Sequence, residues 1–202
     1  MRLGLMGGTF DPIHYGHLAA AEAVRHELEL AKVVFVPAGR PPHKAGHQVS
    51  PAVHRMAMVR QAVASNPFFE VSDIEVDRPG PSFTVDTVKE YGRLYPGAEI
   101  YFLTGTDAVA EIASWHRFEE LLGLCRLTSA IRPGCTREVQ ERLARLPESI
   151  RCRVHLVEVP AVAVSSTEIR ERVYFGKPVK YLLPETVEDY IIRHGLYRTV
   201  KA

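Results

Sequence analysis

Cysteine is scarce in this chain of 202 residues, which carries only Cys125, Cys135 and Cys152. No two of them form a C-x-x-C pair, and an odd number cannot pair completely within one chain. Small secreted domains held by disulfides usually carry an even set of cysteines. The sequence therefore indicates a reducing compartment with buried, inert thiols, and it gives no sign of a cysteine nucleophile.

Excess charge and long apolar segments are also lacking. The formal net charge is +1 at pH 7, so no strong overall field selects nucleic acid or an acidic membrane surface. No segment approaches the roughly 20 apolar residues of a membrane helix, and the first residues lack the cationic lead and apolar core of a signal peptide. We expect a soluble cytoplasmic protein that binds neither nucleic acid nor a membrane.

Short apolar runs alternate with helical patterns along the chain. The runs typical of buried strands are 3–6, 33–36, 69–74, 100–104, 126–131 and 154–159. Helical patterns cover about 16–29, 51–65, 84–94, 107–122 with a break, 136–145, 167–174 and 185–194. This alternation, with strands that are apolar throughout, predicts an α/β fold: a Rossmann-like, doubly wound, mainly parallel sheet with helices on both faces.

A single domain is expected over residues 1–202. Its core would occupy about residues 1–160, followed by a short helical C-terminal part over about 161–202. The longest irregular segment, residues 37–50, follows the second predicted strand. It therefore lies at the carboxyl edge of the sheet, where open α/β sheets bind ligands, and we expect it to contribute to a ligand site.

Residues 7–18 have the features of a phosphate site. The Gly7–Gly8 pair allows a sharp turn directly after the first strand, and the helix that begins near Gly16 presents unpaired backbone N–H groups. A helix N-terminus of this kind binds anions. His14 and His17 are three residues apart, so both can face one side of the helix start and donate hydrogen bonds to phosphate. Gly16 between them leaves room for a ligand against the backbone.

Three other interpretations of this stretch compete with a phosphate site. His14 and His17 could be half of a metal site, but no second cluster of His, Cys or Asp with ligand spacing follows them. The glycines match neither the dinucleotide fingerprint nor the P-loop. For the two histidines alone, a glycine turn with two helix-capping side chains is the simpler interpretation. The whole stretch favours phosphate, because turn, donors and helix start coincide.

A second set of polar side chains follows the sixth predicted strand. Ser165, Ser166 and Thr167 open a helix there. Arg170 lies one turn further on, where it can bind a phosphate with two hydrogen bonds. Taken alone, this Ser/Thr-x-x-Glu spacing is more often an ordinary capping box. Its place at the same sheet edge as the first motif favours a second phosphate site.

The two end motifs resemble those of the HxGH nucleotidyltransferase superfamily. They are Gly-Thr-Phe-Asp-Pro-x-His-x-Gly-His near the N-terminus and Ser-Ser-Thr-x-x-Arg near the C-terminus. Within that superfamily the chain is similar, nearly end to end, to bacterial nicotinate-nucleotide adenylyltransferases. Further pieces that match in order are Pro41–Lys44, Pro81–Thr87, Gly105–Asp107, Trp115 and Arg132–Gly134.

The resemblance implies transfer of AMP from ATP to nicotinate mononucleotide, which gives nicotinate adenine dinucleotide and pyrophosphate, a step of NAD biosynthesis. The mononucleotide phosphate would attack the ATP α-phosphorus directly and in line. Mg²⁺ would be held by substrate phosphates and water, with no metal ligand from the protein. The residues agree with this chemistry, since they offer anion-binding groups rather than an activated nucleophile.

The resemblance also implies roles for individual residues. His14 and His17 would be the catalytic pair at the phosphates, with His17 nearer the reacting centre. The ATP-binding residues implied are Gly7, Gly8, Thr9, Phe10, His14, His17, Ser165, Ser166, Thr167 and Arg170. Those implied for the mononucleotide are His43, Lys44, Thr84, Gly105, Asp107, Trp115, His116 and Arg132.

Recognition of the acceptor ring depends on a few of these residues. By the resemblance Trp115 stacks on the nicotinate ring, although a lone tryptophan is more often a core residue. Thr84 and backbone N–H groups near Trp115 and His116 would bind the ring carboxylate, which a pocket of donors prefers to a carboxamide. Many relatives carry an aromatic residue where this chain has His116.

Two of the residues implied for the mononucleotide have simpler interpretations. For Lys44 alone this is a solvated side chain, and Asp107 is equally suited to cap a helix.

Competing functions stay open at this point. The nearest enzymatic alternative is the same chemistry on nicotinamide mononucleotide or on another phosphate acceptor such as phosphopantetheine, and a cytidylyltransferase is a further one. A non-catalytic nucleotide-binding module is the alternative from another class, although intact His14, His17 and Arg170 argue against it. The sequence leaves the oligomeric state open, including a homodimer.

Overall fold

The computed structural model describes residues 1–42, 49–105, 108–109, 111–131 and 136–198. Four of the residues predicted to bind the mononucleotide, His43, Lys44, Asp107 and Arg132, lie outside the described residues. Within the described ranges, none of the helices combines the length and apolar character needed to cross a membrane.

Six parallel strands form one sheet in the described part of the chain. They are β1 (Arg2–Gly8), β2 (Lys32–Pro37), β3 (Phe69–Val71), β4 (Glu99–Gly105), β5 (Arg126–Ile131) and β6 (Val154–Glu158). Their order across the sheet is β3-β2-β1-β4-β5-β6. The direction of winding reverses between β1 and β4, and open α/β sheets bind ligands beyond the carboxyl ends of the strands at such a point. The predicted doubly wound α/β fold is confirmed.

Helices cover both faces of this sheet. They are α1 (Tyr15–Glu27), α2 (Ala52–Val63), α3 (Thr84–Leu94), α4 (Phe118–Leu124), α5 (Thr136–Ala144), α6 (Glu148–Arg151), α7 (Ser166–Tyr174) and α8 (Glu185–Arg193), with a 3-10 turn at Ile112–Ser114. Each predicted helical pattern has a counterpart among these helices. The sequence did not predict α6, which is too short to show a periodicity.

Two hydrophobic clusters enclose the sheet. Phe35 belongs to the cluster that contains residues of α1, α2, α7 and α8, whereas its neighbour Val34 belongs to the cluster of α3 and α4. Leu103 and Phe102 divide between the clusters in the same way. Successive side chains of a strand point to opposite faces, so a strand covered on both faces is apolar at every position. This explains the continuous apolar runs in the sequence.

Three predicted elements differ in extent from those observed. The first strand continues to Gly8, so Gly7 and Gly8 are its last two residues, in register with Val36 and Pro37 of β2, and do not form a turn after it. The third strand ends at Val71 instead of residue 74, because Val76 and Asp77 both donate backbone hydrogen bonds to the carbonyl of Asp73 and close a turn. The helical pattern over 107–122 separates into the 3-10 turn and α4. Arg117, at the N-cap of α4, has a φ of 53°, in the left-handed region where a continuous helix cannot pass.

Candidate functional site

The first strand ends in two closely packed glycines, Gly7 and Gly8, at the carboxyl edge of the sheet. A Cβ on Gly7 would lie 2.7 Å from Cζ of Phe102, and one on Gly8 would lie 2.9 Å from the ring of Phe10. Both distances are shorter than real Cβ contacts, so any side chain here would displace an aromatic ring. The two glycines therefore let the end of β1 pack directly against these two rings.

His14 and His17 stack on each other at the start of α1. His14 is the N-cap residue, and its ring centroid lies 3.7 Å from that of His17 at an interplanar angle of 27°. The backbone N–H of His14 donates to Nδ1 of His17 at 3.3 Å. Because Nδ1 of His17 accepts this bond, the proton of its neutral imidazole resides on Nε2. The capping interpretation is thus correct in part, and His17 keeps a donor for a ligand.

Both imidazoles are uncharged near neutral pH. Burial lowers the pKa of His14 to about 4. Burial, and secondarily the neighbouring His14, lowers the pKa of His17 to about 3. Within the described part of the chain, Nδ1 of His14 is buried and has no hydrogen-bond partner. A bound phosphate would favour the charged form of either ring and would thereby raise its pKa.

Two neighbours of these histidines have roles that differ from the sequence expectation. A Cβ on Gly16 would lie 3.0 Å from Nδ1 of His14 and 3.3 Å from Cγ1 of Val164, so Gly16 makes room for the His14 ring rather than for a ligand. Phe10 is 2% exposed, and its ring meets that of His17 edge-on at 5.1 Å. Its side chain therefore supports His17 from within the core.

The second motif is bonded directly to the first. Ser166 donates its hydroxyl to the carbonyl of Pro12 at 2.8 Å, and Arg170 donates from Nη1 to the carbonyl of Asp11 at 2.7 Å. Arg170 also donates from Nη2 to the hydroxyl of Thr167 at 3.2 Å. These bonds hold the start of α7 against the turn that precedes α1, so the two predicted phosphate sites lie side by side.

The capping interpretation of the second motif is also correct for one residue. Ser165 is the N-cap of α7, and its hydroxyl accepts a hydrogen bond from the backbone N–H of Glu168 at 3.1 Å. The other hydroxyls of the motif contact different groups, so helix capping accounts for Ser165 alone.

A cleft of about 460 Å³ opens at the switch point of the sheet. The turn after β1 and the predicted acceptor residues share its lining, which consists of Gly7, Gly8, Thr9, Ala38, Pro41, Pro42, Glu75, Ser82, Phe83, Thr84, Phe102, Thr104, Ala108, Ser114, Trp115 and His116. His14 and His17 are outside this lining and adjoin it through the turn after β1. Gly105 ends β4 at the same edge and is exposed, but it does not line the cleft.

The aromatic side of the cleft is held by stacking. The ring of Trp115 meets Phe102 edge-on with centroids 5.9 Å apart, and His116 stacks on Phe83 at 4.1 Å. Phe83 is the N-cap of α3, and Thr84 is its first residue. The first N–H groups of a helix lack intrahelical partners and carry partial positive charge. This end of the cleft therefore suits a carboxylate.

Glu75 is a residue of the cleft that the motif analysis missed. It is 6% exposed, and its Oε1 accepts a hydrogen bond from the hydroxyl of Thr87 at 2.6 Å. Burial raises the pKa of Glu75. Its signal in the sequence was an acidic residue a few positions beyond a strand, at the carboxyl edge of the sheet.

Among the described residues, no group of three or more His, Cys, Asp and Glu side chains is arranged to hold a metal ion.

Comparison with known proteins agrees with this geometry. A family model described as cytidylyltransferase-like matches residues 5–172. Relatives from Moorella thermoacetica and Thermoanaerobacter sp., both named "Probable nicotinate-nucleotide adenylyltransferase", are 55% and 52% identical. Each alignment covers 98% of this chain, and they cover 92% and 95% of the respective relative.

Solved structures share the fold. Plasmodium falciparum nicotinic acid mononucleotide adenylyltransferase, complexed with NaAD and with APC, gives TM-scores of 0.78 and 0.76 at 21% and 20% identity. These matches cover 97% of this chain and 97% and 96% of the solved chains. The chain is thus a member of the cytidylyltransferase-like class of nucleotidyltransferases. Within this class, the chain belongs to the nicotinate-nucleotide adenylyltransferase family.

Proposed function

We propose that this protein transfers AMP from ATP to nicotinate mononucleotide and releases pyrophosphate and nicotinate adenine dinucleotide. The observation that carries the proposal is a cleft whose lining includes both Gly7–Thr9, at the end of β1, and the acceptor residues Thr84, Trp115 and His116. A transferase that joins two nucleotides must hold their phosphates next to each other, and this cleft adjoins the phosphate site. The names of the relatives supply the reaction.

The ATP half of the proposed site consists of the two motifs that the Ser166 and Arg170 hydrogen bonds join. His17 can donate from Nε2 at the start of α1, where the backbone N–H groups of Tyr15 and His17 themselves already donate to the carbonyls of Leu182 and His14. Arg170 supplies a permanent positive charge. Donors aimed at the charge that develops in the transition state are worth about 3 kcal/mol each, by analogy with oxyanion holes. Positioning and charge stabilisation of this kind suffice for phosphoryl transfer.

The proposed reaction is a direct displacement. A phosphate oxygen of the mononucleotide forms a bond to the α-phosphorus of ATP, and the bond from that phosphorus to the β-phosphate oxygen breaks. The electron pair leaves with pyrophosphate. His14 and His17 are neutral in the free protein, so Mg²⁺ bound to ATP as part of the substrate would supply positive charge against the phosphates.

The acceptor half favours a ring that carries a carboxylate. The start of α3 at Thr84 offers hydrogen-bond donors, and a carboxylate only accepts, whereas a carboxamide also donates. Trp115, fixed edge-on by Phe102, supplies a flat surface for the ring. His43, Lys44, Asp107 and Arg132 stay predicted contacts of the mononucleotide. The single domain and the cytoplasmic location likewise stay predictions.

The test supplies ATP and Mg²⁺ with nicotinate mononucleotide and, in parallel, with nicotinamide mononucleotide. Pyrophosphate release is expected to be at least about tenfold faster with nicotinate mononucleotide, the size that one unpaired polar contact produces. The measurement with nicotinamide mononucleotide is informative because the Glu75 carboxylate lines the same cleft and could accept a hydrogen bond from a carboxamide. Equal rates would contradict the carboxylate argument, and no release with either acceptor would contradict the proposed function.

A variant assay separates the role of His17 from helix stability. His17→Ala is expected to lower turnover by at least about a hundredfold, as the loss of a transition-state donor does. The matched control is His26→Ala, which removes an exposed imidazole from the last turn of the same helix. Turnover of His17→Ala close to that of His26→Ala would refute the role of His17.

A further inference from the structure

A buried polar cluster lies behind the phosphate site and involves residues to which the sequence motifs gave no role. It consists of Asp11, Ser50, Arg55 and Tyr197. Asp11 is 4% exposed and Arg55 is 1% exposed, so both charged side chains are removed from water. Buried charges are retained only where they are well paired, and their position is then strictly fixed.

Arg55, on α2, binds three backbone carbonyls around the site. Its Nη1 donates to the carbonyl of Thr9 at 2.8 Å, in the turn that lines the cleft. Its Nε donates to the carbonyl of Ser50 at 2.9 Å, and its Nη2 donates to that of Gly39 at 3.3 Å. One side chain thereby fixes the turn after β1 and two points of the β2–α2 connection.

Asp11 is held by side chains and backbone from three other parts of the chain. Its Oδ2 accepts from the backbone N–H of Ser50 at 3.0 Å, and its Oδ1 accepts from the hydroxyl of Tyr197 at 2.6 Å. Its own carbonyl accepts the hydrogen bond of Arg170. Asp11 lies three residues before His14, so its position determines where the paired histidines begin.

Tyr197 lies after α8 near the end of the described chain. Its backbone φ is 61°, in the left-handed region that is unfavourable for a residue with a side chain. Its hydroxyl is nevertheless bonded to a carboxylate 186 positions earlier in the sequence. Burial and the adjacent Asp11 carboxylate raise the pKa of Tyr197, so the hydroxyl stays protonated and donates at neutral pH.

We propose that Tyr197 is a positioning residue for ATP, whose hydroxyl holds Asp11 and thereby sets the turn that carries His14 and His17. The inference rests on the proposed function in one respect: ATP is taken as the ligand of that turn. It extends the site to the C-terminal end of the described chain.

The test replaces only the hydroxyl, by Tyr197→Phe, and measures ATP binding by calorimetry together with steady-state kinetics. The dissociation constant and the KM for ATP are expected to rise about tenfold, while the KM for nicotinate mononucleotide changes by less than about twofold. A purely structural defect would lower the active fraction and hence kcat, but it would leave the KM for ATP unchanged.

The matched control is Tyr190→Phe. Tyr190 lies on α8, and its hydroxyl is 3.0 Å from Nδ1 of His54 on α2, so this change also removes a hydroxyl that joins the C-terminal part to α2. It should leave ATP affinity within about twofold of the unsubstituted protein. An affinity of Tyr197→Phe within that range, or an equal loss in Tyr190→Phe, would overturn the proposal.

Asp11→Asn tests the same hydrogen bond from the other side chain, and alone it should also raise the dissociation constant for ATP; a double-mutant cycle combines it with Tyr197→Phe. Asp11→Asn removes the charged acceptor, and the double variant should bind ATP no more weakly than Asp11→Asn alone, because both changes break one chain of contacts. Additive losses would overturn the proposal. ATP binding by calorimetry needs no turnover, so a protein that binds ATP without adenylating nicotinate mononucleotide would contradict the proposed function and still allow this test.

Discussion

Acidification should destabilise this protein through His14 and His17. Burial takes the pKa of His14 from 6.5 to about 4 and that of His17 from 6.5 to about 3. A histidine whose pKa is lower in the folded state than in the unfolded state contributes stability above pH 6.5. That contribution is lost as the pH falls from 6.5 to the folded-state pKa. Between these values the unfolded chain binds protons that the folded protein does not, so stability decreases.

The magnitude follows from the width of that interval. At about pH 5 the unfolded imidazoles are almost fully protonated, and the folded ones are still largely neutral. Each group then contributes about 1.5 pH units at 1.36 kcal/mol per unit, or about 2 kcal/mol, and the pair about 4 kcal/mol. A loss of this size is a large part of the stability of an ordinary domain.

The assay is urea unfolding at about pH 8 and about pH 5, followed by the fluorescence of Trp115, the only tryptophan in the chain. The double variant His14→Asn and His17→Asn, whose amides do not titrate, should lose about 4 kcal/mol less than the unsubstituted protein between these pH values. His26→Asn, which removes an exposed imidazole, is the control and should keep the full loss. A difference below about 1 kcal/mol between the double variant and the unsubstituted protein would refute the burial argument.

Two further predictions concern the walls of the cleft. Gly39→Ala should destabilise by about 3 kcal/mol in the same assay, because the new Cβ would lie 2.1 Å from the backbone carbonyl of Glu75. Gly92→Ala, in α3 with nothing within 4 Å of the new Cβ, is the control and should stabilise by up to about 1 kcal/mol. Glu75→Gln should be more stable than the unsubstituted protein at neutral pH and lose that advantage in acid, because the raised pKa of Glu75 makes its ionised form the unfavourable one. An advantage that is independent of pH would contradict this explanation.

The strands and the first motif were predictable because their signals are local. A strand buried on both faces must be apolar at every position, so 3–6, 33–36 and 100–104 were recognisable without knowledge of their partners. The helix start with His14 and His17 was equally visible, since these residues occupy one continuous stretch, whereas the turn expected at Gly7–Gly8 is the end of β1. The end of β3 was misjudged, because the turn at Asp73 depends on hydrogen bonds that composition does not reveal.

The state of the histidines and the assembly of the site depended on tertiary structure. The bonds from Ser166 to Pro12, from Arg170 to Asp11 and from Tyr197 to Asp11 join positions 154, 159 and 186 residues apart, and no local pattern encodes such pairs. The sequence alone determined the fold class, the family and the two phosphate motifs, because residue type and short spacing suffice for each. Only the packed structure decided that His14 and His17 are neutral and that one cleft joins the turn after β1 to Trp115, because burial and long-range contact arise when distant segments meet.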